Sequence, residues 1–93
     1  MTTLSIVIPA YNEERFIETL LGKIKAVDLT PLGIDKEIIV VDDCSTDSTA
    51  AIAARVPGIT LKRMAVNGGK GSAVRAGIAC ATGEYVMIQD ADL

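Results

Sequence analysis

Glu37-Ile38-Ile39-Val40-Val41-Asp42-Asp43 decides the fold. The apolar run leaves neither face of an extended strand polar, which is the pattern of a central strand in a parallel sheet covered on both sides. It closes abruptly on two acids, and Asp42-Asp43-Cys44-Ser45 reads as the exit loop.

Working outward, apolar runs and helical spacings alternate. Upstream, Leu4 to Ile8 is a short buried strand ending at Pro9. Asn12 is placed to cap a helix, with Glu13 and Glu14 in a first turn where the helix dipole favours acids. Phe16, Ile17, Leu20, Leu21 and Ile24 follow at helical spacing, and the helix is expected to end near Val27. Asp28 to Lys36, with Pro31 and Gly33, reads as a loop. Downstream, Ser45 or Thr46 can cap a second helix running to about Val56, with Asp47 in its first turn and Pro57-Gly58 after its end. Ile59 to Met64 is a weaker third strand, and Asn67-Gly68-Gly69-Lys70-Gly71 is a glycine-rich turn. Ser72 to Ala81 is a third helix with Ala73, Val74, Gly77, Ile78 and Ala81 on one face, small enough for close approach to a sheet. Gly83 stands where a helix C-cap glycine belongs, and Glu84 to Gln89 is a fourth strand. This βαβαβαβ order predicts an α/β, Rossmann-like parallel sheet of order 3-2-1-4 with helices on both faces.

At 93 residues the chain is one domain at most, and a hydrophobic content of 49% excludes a disordered segment. Aromatics make up only 3%, so Ile, Val, Leu and Ala must fill the core. The net charge of −3 and the lack of a basic cluster argue against a nucleic-acid partner. The sequence has no histidine, which removes histidine general-base chemistry and histidine metal ligands. Cys44 and Cys80 make no metal or disulfide framework and suit reduced thiols, so a cytoplasmic location is expected. Met1 to Ser5 lacks the basic region of a signal peptide, and no 18-residue apolar run is present.

Every polar cluster follows a predicted strand, and ligands of open α/β sheets bind beyond the carboxyl ends of the strands. In Pro9-Ala10-Tyr11-Asn12-Glu13, Tyr11 can lie against a flat base and Glu13 can accept a hydrogen bond from one. The bland alternative is a Tyr11 that covers the core and a Glu13 that only complements the dipole. Asp42 and Asp43 are adjacent and point to opposite sides, so one faces a ligand and the other supports the loop. The glycine-rich turn is neither a P-loop nor a G-x-G-x-x-G, yet it can set Lys70 beside phosphates, with Arg75 a turn further on. Asp90 and Asp92, at i and i+2 after the fourth strand, project together, and two close carboxylates invite Mg²⁺ or Mn²⁺ with a diphosphate completing the shell. An acidic loop with no ligand is the competing account of that pair.

Taken in order, Ser5-Ile6-Val7-Ile8-Pro9-Ala10-Tyr11-Asn12-Glu13, Val40-Val41-Asp42-Asp43-x-Ser45-x-Asp47, Asn67-x-Gly69-Lys70-Gly71 and Asp90-Ala91-Asp92 resemble the family 2 glycosyltransferases. The subgroup they are most similar to is the dolichyl-phosphate mannose synthases and other polyprenyl-phosphate glycosyltransferases. The resemblance implies the amino-terminal half of a GT-A fold that binds a nucleotide-activated sugar with Mg²⁺ or Mn²⁺. It implies nucleotide contacts at Pro9, Ala10, Tyr11, Glu13, Val41, Asp43, Lys70, Asp90 and Ala91. Asp90 and Asp92 become the Asp-x-Asp metal pair, with Asp92 the more direct ligand. Cys44 departs from the pattern, which usually has glycine there.

The implied donor is a UDP- or GDP-sugar, and the implied acceptor is a lipid phosphate or a glycan. The implied activity is inverting transfer, in the cytoplasm or at the inner face of the membrane. Catalytic domains of this family are more than twice as long, so residues 1–93 are expected to be a nucleotide-sugar-binding half that stops after the metal motif. The catalytic base would then lie beyond it, the chain alone would be inactive, and its fourth strand would be an exposed edge through which two copies pair. A non-catalytic nucleotide-binding or assembly module and a sugar-nucleotide pyrophosphorylase are the alternatives. Pro9-Ala10-Tyr11 argues against the latter, which carries its glycine-rich loop after the first strand.

Overall fold

The structure is a computed structural model and describes residues 1–91. Four strands, β1 (Thr2–Ala10), β2 (Ile34–Asp42), β3 (Ile59–Arg63) and β4 (Tyr85–Ile88), form one sheet in the order β3-β2-β1-β4. All three pairings are parallel, and Ile6 of β1 stands beside Ile38 of β2 and Met87 of β4. The connecting helices are α1 (Ile17–Ala26), α2 (Thr49–Ala54) and α3 (Lys70–Cys80), with a short 3-10 turn at Thr30–Leu32. The expected order and strand directions are therefore observed. No helix among the described residues is long and apolar enough to cross a membrane.

Alternation along the two central strands builds two cores. Ile6, Ile8, Ala10, Ile38 and Val40 face α1 and α2, and meet Ile17, Leu20, Leu21 and Ala53. Val7, Ile39 and Val41 face the other way and meet Ala73 of α3. The apolar run that reads as covered on both sides is thus divided between two helical layers.

Gly77 is the residue that lets α3 lie close to the sheet, since a Cβ there would sit 2.3 Å from Val7 Cγ1 and 3.0 Å from Val41 Cγ2. Ala76 and Ala81 also pack on this side. Ile78, expected on the same face, is 48% exposed instead, because the ridge Ala73-Gly77-Ala81 runs along the contact and leaves Ile78 to one side.

Several boundaries differ from the sequence reading. Asn12 does not cap α1, which starts at Ile17. Asn12 has φ +53° and its side chain is engaged elsewhere, as described below. The second strand begins at Ile34 because Asp35 and Lys36 already pair with β1. Lys36 sends its ammonium to the carbonyls of Ile24, Lys25 and Val27, satisfying the end of α1. The second helix is shorter than expected, since residues 45–48 are held by hydrogen bonds to the β1–α1 loop. Gly83 is no helix cap, as α3 ends with Ala81 in an extended conformation. A Cβ at Gly83 would lie 2.6 Å from the Thr3 carbonyl oxygen, so glycine there serves a close crossing against β1.

Candidate functional site

The loops leaving the strands converge beyond their carboxyl ends, and each is fixed by a different device. Ala10 accepts a hydrogen bond from the Asp43 amide at 2.9 Å, which carries the β1–β2 ladder one residue past the strands. The β1–α1 loop is then stitched to the β2–α2 loop. The Asn12 amide donates to Ser45 Oγ at 2.9 Å, and Asn12 Oδ1 accepts from the Thr46 amide at 2.9 Å. The Glu13 amide donates to Thr49 Oγ1 at 2.8 Å, the Glu14 amide to Asp47 Oδ2 at 3.3 Å, and Glu14 Oε2 accepts from the Ser48 amide at 3.0 Å. Burial raises the pKa of Asp47, but hydrogen bonds from the Thr49 hydroxyl and amide and from the Glu14 amide outweigh it and hold the carboxyl below its ordinary value.

The two adjacent acids at the end of β2 diverge, as their spacing predicts. Asp42 is fully buried, accepts from the Ser45 hydroxyl and amide, and meets Arg63 Nε at 3.5 Å. It supports its own loop. Asp43 is 4% exposed and receives the amides of Gly68 and Gly69, one on each carboxylate oxygen, at 2.9 Å. Asn67 Nδ2 reaches the Asp43 carbonyl at 3.2 Å. Asp43 therefore clamps the glycine-rich turn and sets where α3 begins. Cys44, between this clamp and the Ser45 bonds, has φ +62°, the left-handed region that favours glycine.

On the far side, β4 delivers Asp90. The Gln89 amide bonds the Val7 carbonyl at 2.9 Å, holding that exit against β1. Lys70, the first residue of α3, makes an ion pair from Nζ to Asp90 Oδ1. Both side chains stay well exposed, 62% and 58%.

Between these walls lies a cleft of about 320 Å³ lined by Pro9, Ala10, Tyr11, Glu13, Asp43, Lys70, Ala73, Asp90 and Ala91. Of the residues singled out in the sequence, eight line this one cleft. Val41 does not, being fully buried against α3 with Val7 and Ile39. Asp92 lies outside the described residues. Ala73 is the lining residue that the sequence reading gave only a packing role. Of the stitching residues, Asn12 and Ser45 read as helix caps in the sequence and Thr49 is not singled out there, since nothing local in the sequence reveals partners some thirty residues away.

Among the described residues, no three His, Cys, Asp or Glu side chains gather as a metal cluster. An exposed Asp90 carboxylate beside a cleft is instead a hard oxygen donor of the kind that Mg²⁺ or Mn²⁺ uses when a diphosphate supplies most other ligands. That carboxylate suits such an ion as one ligand among several.

The model of the family described as "Glycosyl transferase family 2" matches residues 5–93. The chain belongs to glycosyl transferase family 2. A family relative, the dolichyl-phosphate beta-glucosyltransferase of Dictyostelium discoideum, is 35% identical over 99 residues that cover 96% of the chain and 30% of the relative. A mannosyltransferase from Pyrobaculum calidifontis, solved with GDP-Man and Mn²⁺, superimposes with a TM-score of 0.85 at 35% identity, covering 96% of this chain and 27% of that one. The Staphylococcus aureus TarS structure with UDP-GlcNAc gives 0.84 at 31% identity, covering 97% and 26%. The fold of these neighbours is GT-A, and the observed sheet matches part of it. The chain spans less than a third of the length of these family 2 proteins.

Proposed function

We propose that residues 1–93 are the nucleotide-sugar-binding half of a metal-dependent inverting glycosyltransferase. Its donor is a UDP- or GDP-sugar and its acceptor a polyprenyl phosphate. The observation that carries this reading is the single cleft into which four polar segments, each following a strand, bring an aromatic ring, carboxylates and an ammonium. The similarity to proteins solved with GDP-Man and with UDP-GlcNAc supports the donor class, and the dolichyl-phosphate relative supports the acceptor class.

In this reading Tyr11, 44% exposed on the cleft wall, offers its ring to the base. Asp43 retains lone pairs after receiving the two glycine amides and accepts a base N–H. Lys70 neutralises the diphosphate, and Asp90 holds the cation from its open side. The bound metal supplies charge that stabilises the departing diphosphate. The acceptor oxygen attacks the anomeric carbon on the face opposite that leaving group. Among the described residues β4 pairs with β1 alone, and its outer edge offers a pairing site to a second copy.

Calorimetry with UDP and GDP, with Mn²⁺ or with EDTA, tests the reading. Binding should require Mn²⁺, and Asp90→Asn should weaken it about tenfold or more, the worth of one hydrogen bond or contact to a charged group. Equal affinity in EDTA would remove the metal from the account, and no affinity for either nucleotide would remove the function.

A further inference from the structure

Lys70 and Asp90, both lining the cleft, form an ion pair. Their backbones are fixed independently. The amides of Gly68 and Gly69 are held by Asp43, so Lys70 enters α3 from a clamped turn, and Gln89 is bonded to β1 just before Asp90. A change of partner at Lys70 therefore falls to its long side-chain stem and not to the backbone.

We propose that Lys70 is a resident counter-cation: it pairs with the Asp90 carboxylate, and a nucleoside diphosphate draws it away and frees that carboxylate for the divalent ion. This rests on the nucleotide reading above and adds an order to it. An ammonium is a compact point charge with three donors, and it competes for the oxygen a divalent cation needs. A diphosphate carries more charge and more acceptor oxygens than the Asp90 carboxylate and competes with it for the ammonium. Metal and nucleotide therefore bind cooperatively, each raising the affinity of the other by the same factor. Because the pair is exposed, the competition is modest and supports at most roughly a fivefold change in metal affinity.

The test is titration of the protein with Mn²⁺, followed by electron paramagnetic resonance of the free ion, first alone and then with UDP or GDP. Lys70→Met should bind Mn²⁺ alone about twofold to fivefold tighter than the wild type. Its gain in Mn²⁺ affinity on adding nucleotide should be smaller. Arg75→Met, which removes the other cation of α3, controls for bulk charge and should shift Mn²⁺ affinity less. Lys70→Gln repeats the measurement with a neutral side chain that can still hydrogen-bond.

Unchanged Mn²⁺ affinity in both Lys70 variants, or an equal gain in Arg75→Met, overturns the proposal while leaving metal-dependent nucleotide binding intact. A wild-type protein that binds nucleotide equally well in EDTA overturns both. Absence of Mn²⁺ binding by the wild type and both Lys70 variants at millimolar ion also overturns the exchange.

Discussion

Replacing Gly77 by alanine sets two effects of opposite sign against each other. In a helix interior, alanine is favoured over glycine by about 1 kcal/mol. The new methyl, however, would lie 2.3 Å from Val7 Cγ1 and 3.0 Å from Val41 Cγ2. Apolar carbons prefer separations of roughly 3.5–4.0 Å, so the first contact is roughly 1.2–1.7 Å too close. Neither neighbour can yield easily. Both valines are fully buried on central strands, and a β-branched side chain is stiff at χ1.

The helix must ride outward, loosening Ala73 as well. Overpacking of this kind costs about 1–3 kcal/mol, and the direct clash puts this site at the upper end. A net loss of about 1–2 kcal/mol is expected after the helix gain, or a fall of roughly 4–16 °C in Tm for a domain of this size. Lys70 lies two turns earlier on the same helix, so nucleotide affinity should fall too. Thermal and urea denaturation of the wild type, Gly77→Ala, Val7→Ala and the double variant would measure the coupling. The double variant should recover at least about 0.5 kcal/mol beyond additivity. A Gly77→Ala protein that melts at or above the wild type would show that propensity outweighs the contact, and would refute the close-approach argument.

Three further outcomes are expected. Cys44→Gly should leave the protein as stable or up to about 1 kcal/mol more stable in urea, since relief of the left-handed backbone opposes the greater chain entropy of glycine; a clear loss would mean that the thiol, 3.8 Å from the Ala65 carbonyl, matters more than the backbone. The Ser5 hydroxyl and the Thr82 amide hold the Glu37 carboxyl below its ordinary value of 4.5, so that stabilisation is present above this pH and is lost as pH falls through the lowered value. Glu37→Gln should flatten the fall in urea stability on going from pH 6 to pH 3, and an unchanged slope would count against it. Sedimentation over a concentration series should reveal self-association of the 93-residue chain, because Tyr85, Val86, Met87 and Ile88 are all 40% or more exposed on a strand that pairs with β1 alone among the described residues; a monomer at high concentration would contradict this.

The order of the sheet was legible because Ile38 to Val41 are apolar at every position, and because each run of this type is followed by helical spacing. The location of the cleft was legible for a topological reason: parallel strands bring all their exits to one end. The start of α1 was not. Asn12, Glu13 and Glu14 have the local chemistry of a helix cap, but their amides and side chains find partners at residues 45 to 49, and long-range bonds override the local preference. Adjacency alone predicted that Asp42 and Asp43 would part company. Which of them would turn inward depended on Arg63 and Ser45 on one side and two glycine amides on the other.

The stitching between the β1–α1 and β2–α2 loops has a consequence for how the protein unfolds. Its hydrogen bonds join residues more than thirty positions apart, so the cleft wall cannot exist until β1 and β2 have paired in register. A molecule gripped between Tyr11, Asp43 and Lys70 touches the segments that follow β1, β2 and β3 at once. Its binding free energy is then shared by the whole central sheet, and opening any one of those strands must first release it. Slow amide exchange spreading inward from the loops to Val7 and Ile39 as ligand is added would be the signature of a site that doubles as a clasp.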